Sequence, residues 1–183
     1  MVVGLVLAGG RSSRMQQDKA LLTFDGKSLL EQAEEILLQS GCTKVLISRN
    51  QPGFLNDIYP DAGPLGGIYA ALMHQAIGDS LIVLPVDMPF ASPELLQYLV
   101  NKGQAQASAC YFKDCYLPMY LPVTQTARDF LQHLLATQGQ GRVSALLHHL
   151  HAIALPCPPY LTPALRNINT PAQWAEVTGK SPQ

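Results

Sequence analysis

No sign of charge dominates this chain. Its 183 residues include 12 Lys and Arg against 13 Asp and Glu, a formal net charge of −1. A domain built to grip a nucleic-acid backbone carries a clear basic excess, so that class is disfavoured. A local basic pocket for a small phosphate ligand stays open. Cysteine is sparse, and Cys42, Cys110, Cys115 and Cys157 form no C-x-x-C pair and no Cys/His zinc spacing. They read as reduced, partly buried thiols of a cytoplasmic protein. Long apolar runs are missing too. The opening Met1 to Leu7 has no basic lead, meets Gly9-Gly10 at once and falls short of the roughly 18 residues of a membrane span. It is expected to be a buried first strand, with no membrane association. The residues are 48% hydrophobic and 14% charged, which is enough apolar material for a core and too little charge for disorder. The length suits one domain over residues 1–183. There is no Walker A loop, no G-x-G-x-x-G, and no Ser/His/Asp or Cys/His triad. P-loop, nicotinamide-binding and covalent catalytic sites are therefore disfavoured.

The order of elements reads β-α-β-α-β-α at first. Val2 to Leu7 is a strand. Ala20 to Phe24 is a short extended piece. Ser28 and Glu31 form a capping box for a helix running to about Ser40, with Gly41 as its C′ residue. Lys44 to Ser48 is a second strand, Gln51 to Pro64 a loop, and Ile68 to Ile77 a second helix. Leu81 to Leu84 lacks alternation, as a central parallel strand buried on both faces does. Ser92-Pro93 opens a third helix. A hairpin around Lys113-Asp114, helices near Ala127 to Ala136 and Arg142 to Leu150, a strand near Ala152 to Leu155 and a helix capped by Thr170-Pro171 follow. The fold class is α/β: a doubly wound, mostly parallel sheet with helices on both faces. Ligands of such sheets bind beyond the carboxyl ends of the strands, so the loops after Leu7, Ser48 and Leu84 should share one rim.

Chemistry concentrates there. The first loop, Leu7-Ala8-Gly9-Gly10-Arg11 to Lys19, combines adjacent glycines with Arg11, Arg14 and Lys19. Its amides can wrap phosphate oxygens, Arg can fork two bonds onto a phosphate, and Lys acts as a point charge. Asp87 in Leu84-Pro85-Val86-Asp87-Met88-Pro89 is placed to hold Mg²⁺ on a triphosphate. Asp57 to Gly67 adds a second glycine-rich approach to a helix N-terminus. Asn167 and Asn169 are expected on one side of a strand, offering amide oxygens to a metal or ligand. His148, His149 and His151 lie at a helix C-terminus, where the dipole favours them, and lack the spacing of a metal site.

Together Leu7-Ala8-Gly9-Gly10, Arg14-Met15, Asp18-Lys19, Asp57, Gly63-Pro64-Leu65-Gly66-Gly67, Asp87-Met88-Pro89 and Asn167-Ile168-Asn169-Thr170-Pro171 resemble the molybdenum cofactor guanylyltransferase family of the nucleotidyltransferase superfamily. The resemblance covers nearly the whole chain. It implies that Leu7, Ala8, Gly9, Gly10 and Lys19 contact GTP, as does Asp57. It implies that Asp87 binds nucleotide and Mg²⁺ and that Arg14 neutralises the triphosphate. Arg14, Lys19 and Asp87 would then be catalytic, and Gly66, Asn167 and Asn169 would face the acceptor, molybdenum-molybdopterin. Proteins that deliver or accept the cofactor would be further partners. The chain departs from the family pattern at Gln16, often Gly, and at Leu117 before Pro118, often His. The residues themselves leave open a cytidylyltransferase on the same cofactor, a sugar-phosphate nucleotidyltransferase, or a non-catalytic nucleotide-binding module that hands the cofactor on.

Overall fold

The computed structural model describes residues 1–9 and 18–179. The strand β1 (Val2–Leu7) is followed by a 3-10 turn, Lys19–Leu21, and a small ribbon of β2 (Thr23–Phe24) and β3 (Lys27–Ser28). Ala20 to Phe24 is thus a turn leading into a strand rather than one extended piece, because the Asp18 carboxylate accepts a bond from the Ala20 amide and starts the turn. Helix α1 (Leu29–Gln39) carries the expected capping box: the Glu31 amide donates to Ser28 Oγ at 3.2 Å and the Ser28 amide to the Glu31 carboxylate at 2.8 Å. Strand β4 (Val45–Ser48) comes next.

Helix α2 (Pro64–Met73) begins four residues before the expected Ile68 and stops well short of Ile77. The Pro-Gly run that reads as a loop is its first turn. Pro64 occupies the first helical position, where a missing N–H costs nothing, and Gly63 caps it with φ of +64°. Strand β5 (Ser80–Pro85) and helix α3 (Pro93–Gln106), capped by Ser92, are followed by the hairpin of β6 (Cys110–Phe112) and β7 (Cys115–Pro122). Helices α4 (Gln125–Gln138) and α5 (Val143–His149), strand β8 (Ile153–Leu155), a 3-10 segment over Pro159–Leu165 and helix α6 (Pro171–Thr178) complete the order. Thr170 caps α6 through a box with Gln173. Residues 167–169 are irregular, not a strand. Their backbone is held by separate bonds instead of a ladder: Ile168 N–H donates to Asp87 O at 2.8 Å, and Asn169 N–H to Gln173 Oε1 at 2.7 Å.

The six main strands run in the order β4-β1-β5-β7-β6-β8. β1 is parallel to β4 and β5, whereas β7 is antiparallel to β5 and to β6. β5 is therefore central but has a parallel neighbour on one side only. Its unbroken apolar run has the expected cause. Ile82 and Leu84 enter the core shared with α1, α3 and α6, while Leu81 and Val83 enter the core shared with α2, α4 and α5. All four are fully buried, each contributing on the order of 1.5–3 kcal/mol of burial. Cores on both faces give the doubly wound, mostly parallel arrangement expected from the element order. Among the described residues no helix is long and apolar enough to cross a membrane.

Candidate functional site

Strand register levels the rim. Leu7 pairs with Ser48 on one side and Pro85 on the other, and two bonds carry the ladder past the strand ends: Ala8 N–H to Ser48 O at 3.0 Å and Val86 N–H to Leu7 O at 3.1 Å. The chain leaves the sheet at these points, and a cleft of about 220 Å³ opens there. Leu7, Ala8, Gly9, Lys19, Pro85 and Asp87 line it, with Pro64 at the N-terminus of α2 and Leu117 at the start of β7 forming a wall. Leu7, Ala8, Gly9, Lys19 and Asp87, expected from sequence to meet the nucleotide, are brought together. Gly10 and Arg14 lie outside the described residues.

Lys19 joins three parts of the chain. Its ammonium donates to Ile168 O at 3.1 Å and to Asn169 Oδ1 at 3.0 Å, and stands 3.8 Å from Asp87 Oδ2. With the Ile168–Asp87 backbone bond, this brings the segment of Asn167 and Asn169 to the edge of the cleft. Asn169 meets Lys19 there as a hydrogen-bond acceptor. Arg49, only 7% exposed, sits just past β4 and pairs with the Asp18 carboxylate, holding the far end of the first loop. The sequence reading missed Arg49. Its one signal was a cation immediately after a core strand, on the ligand rim.

Asp57 and Gly66 form a separate contact at the start of α2. A Cβ on Gly66 would stand 2.9 Å from the Asp57 carboxylate, and Asn50 brackets Asp57 with bonds of 2.7 and 3.1 Å. Neither lines the cleft. Gly67 is closer packed still, since a Cβ there would fall 2.2 Å from Ser48 Oγ. The glycines thus let α2 lie against the end of β4.

Two oxygens at the site are buried without a hydrogen-bond partner, Asp87 Oδ1 and Asn167 Oδ1. A buried unpaired acceptor costs on the order of 1–3 kcal/mol, so each is a reason to expect a ligand. Both are hard oxygen donors of the kind Mg²⁺ takes. Among the described residues no group of three His, Cys, Asp or Glu side chains could enclose a metal. An Mg²⁺ ion on a triphosphate typically takes one or two carboxylates and the substrate phosphates. The donor set fits Mg²⁺.

Burial pushes the Asp87 carboxyl above its ordinary value, with the Lys19 charge pulling it partly back. A raised carboxyl binds more protons in the folded than in the unfolded state just above the ordinary aspartate value. Stability therefore falls as pH rises through that window. Asp87→Asn is expected to raise the metal-free melting temperature at neutral pH. The gain should vanish on acidification through the ordinary aspartate range. Thermal melts of both proteins across pH 3–8 check it, and an unchanged or lower neutral-pH melting temperature would contradict the burial argument.

The four cysteines are free, Cys42 and Cys110 buried, Cys115 and Cys157 partly so. Burial pushes the Cys110 thiol up to about 11, which keeps it an unreactive apolar filler.

Comparison with known proteins agrees with this geometry. Residues 4–153 match the family model of the MobA-like NTP transferase domain. A molybdenum cofactor guanylyltransferase of Xanthomonas euvesicatoria is 40% identical over 98% of this chain and 95% of its own length. A probable molybdenum cofactor guanylyltransferase of Thermococcus kodakarensis is 34% identical over 75% of this chain and 74% of its own. Among solved structures, molybdopterin-guanine dinucleotide biosynthesis protein A of Archaeoglobus fulgidus superposes with a TM-score of 0.79 at 26% identity, covering 98% of this chain and 97% of that one. The fold alone is shared with 2-C-methyl-D-erythritol 4-phosphate cytidylyltransferase of Thermus thermophilus, at a TM-score of 0.71 and 16% identity over 98% of both chains. With a cleft at the ends of β1 and β5 and a family match over most of its length, the chain belongs to the MobA-like NTP transferase family.

Proposed function

We propose that this chain, a single nucleotidyltransferase domain, transfers GMP from GTP to the terminal phosphate of molybdenum-molybdopterin, releasing pyrophosphate. The observation that carries the reading is the convergence on one rim of Lys19 and of Asp87 with its unpaired buried oxygen. The likeness over 98% of the chain to a protein named molybdenum cofactor guanylyltransferase supports the choice of substrates.

In this reading an oxygen of the acceptor phosphate forms a bond to the α-phosphorus of GTP. The bond from that phosphorus to the bridging oxygen breaks, and its electron pair leaves with pyrophosphate. A phosphate nucleophile is already ionised, so no general base is needed. Positioning and charge stabilisation carry the rate. Leu7, Ala8, Gly9 and Gly10 bound the nucleotide. Lys19 faces the charge that builds on the leaving phosphates, and the family resemblance assigns Arg14 to the same task. Asp87, with Asn167 beside its backbone, would hold Mg²⁺, which supplies positive charge to the phosphate oxygens. Asp57, bracketed by Asn50 at the start of α2, acts on the nucleotide, and Gly66 beside it faces the acceptor. Asn169 positions Lys19 on the acceptor side of the cleft. Four free thiols suit a reducing compartment, the cytoplasm.

The test is pyrophosphate release with each of the four common ribonucleoside triphosphates and Mg²⁺, with and without molybdenum-molybdopterin. GTP with the acceptor is expected to exceed the other triphosphates by at least about tenfold. A preference for CTP would replace the guanylyl reading with a cytidylyl one. Turnover without any acceptor, or none with any triphosphate, would reject transfer to this cofactor. Lys19→Ala is expected to weaken GTP binding by roughly tenfold to a hundredfold, the scale of a lost charge-assisted contact. Wild-type affinity by calorimetry would remove Lys19 from the phosphate site.

A further inference from the structure

The charges that line the cleft do not balance. Among the described lining residues Asp18 and Asp87 are acidic and Lys19 is the one base. Asp87 has a proposed task, holding Mg²⁺. Asp18 has none, yet its side chain is 40% exposed beside Lys19. A bare carboxylate there would cancel part of the lysine's pull and repel a triphosphate.

Arg49 answers that carboxylate from behind. It follows β4 directly, and its backbone is held on both sides: its N–H donates to Leu55 O at 3.0 Å and its carbonyl accepts from Gln51 N–H at 2.6 Å. Its guanidinium stands 5.7 Å from the centre of the Phe54 ring and donates to Asp18 Oδ2. Arg49 is buried, so it has little surface of its own to offer a ligand. The other oxygen, Asp18 Oδ1, accepts the Ala20 amide at 3.1 Å and starts the turn that carries Lys19. One carboxylate thus links the end of β4 to the lysine, with both of its oxygens engaged. Arginine suits this place, being always charged and weakly hydrated. A buried ion pair is a poor source of stability, so its use lies in what it does to the cleft.

We propose that Arg49 is a positioning residue of the nucleotide site: it neutralises Asp18 and fixes it as the cap of the Lys19 turn, so that Lys19 and the cation on Asp87 act on the triphosphate with no opposing charge. The assignment rests on the function proposed above.

Arg49→Met tests it in the full-length protein, because methionine keeps an apolar stem and removes the charge. By calorimetry with GTP and Mg²⁺, the variant is expected to bind at least about tenfold more weakly than wild type at about 50 mM salt. The gap should narrow to within about threefold at about 0.5 M, where the bare carboxylate is screened. Adding Asp18→Asn to Arg49→Met should restore affinity to within about threefold of wild type, since the asparagine oxygen still accepts the Ala20 amide and carries no charge. A role in packing alone would give neither the salt dependence nor the rescue. Wild-type GTP affinity in folded Arg49→Met overturns the proposal. So does a loss that is the same at both salt concentrations, or one that Asp18→Asn fails to restore. Should Arg49→Met not fold, Arg49→Lys, which keeps the charge beside Asp18, takes its place: affinity within about threefold is expected, and a loss of about tenfold overturns the proposal. Wild-type protein that binds GTP with this pattern of effects but transfers nothing to the acceptor leaves the role of Arg49 standing and removes the transfer reading. Transfer by wild type with unchanged GTP affinity in Arg49→Met does the reverse. Absence of GTP binding by wild type overturns both.

Discussion

Replacing Asp87 with alanine is expected to lower kcat/KM for nucleotidyl transfer by roughly a thousandfold or more and to leave the protein folded. The carboxylate is the acidic group of the cleft best placed to meet a triphosphate-bound cation, and its Oδ1 is buried with nothing to satisfy it. A metal that neutralises leaving phosphates is worth several kcal/mol of transition-state stabilisation, and about 4 kcal/mol corresponds to about a thousandfold. The fold should survive because Asp87 Oδ1 is unpaired and Lys19, its charged neighbour among the described residues, keeps Ile168 O and Asn169 Oδ1 as acceptors. The measurement is steady-state transfer at fixed Mg²⁺, with far-ultraviolet circular dichroism as the control. Activity within tenfold of wild type in a folded variant would take the metal away from Asp87.

The largest expected effect on stability lies far from the cleft, at Gly103 in α3. In an exposed helix, Gly→Ala stabilises by about 1 kcal/mol. Here a Cβ would stand 2.0 Å from Tyr120 Cδ1 and 2.5 Å from Cγ and Cε1. The ring is not free to swing away, because Tyr120 is 4% exposed and its hydroxyl is bonded to Ser80 Oγ at 2.7 Å. The clash outweighs the helix propensity. Gly103→Ala is expected to cost about 2 kcal/mol, roughly 5 °C in melting temperature for a chain of this size. Tyr120→Phe, which cuts the tether, should recover part of the loss in the double variant, a coupling that a mutant cycle reads directly. A melting temperature equal to or above wild type would mean that α3 and β7 move apart freely.

Local chemistry was legible wherever it decided local structure. Ser28 with Glu31, Ser92 with Pro93, and Thr170 with Pro171 announced three helix starts, since each cap is a bond between residues three apart. The unbroken run at Leu81 to Leu84 announced a strand with a core on each face. The start of α2 was misread because Pro64, Gly66 and Gly67 look like loop residues. They are helical because α2 presses on Asp57 and Ser48, contacts set by the tertiary fold. In the same way, nothing local says that β7 runs against β5. At the cleft, the rim positions of Leu7 to Gly9 and of Asp87 followed from where strands end. The pairing of Lys19 with Asn169, 150 positions apart, did not, because it depends on how the last segment folds back over the rim.

That fold-back carries a consequence for biosynthesis. Lys19 is fixed by Ile168 and Asn169, and Ile168 is fixed by Asp87. A nascent chain that has already assembled β1, β4 and β5 therefore still lacks the contacts that orient Lys19, the lysine proposed to face phosphate. Those contacts arrive only after residue 169 has cleared the ribosome exit tunnel. A ribosome stalled at residue 150 would hold a chain that lacks β8 and the Ile168 and Asn169 contacts to Lys19, so the proposed nucleotide site is completed late in synthesis.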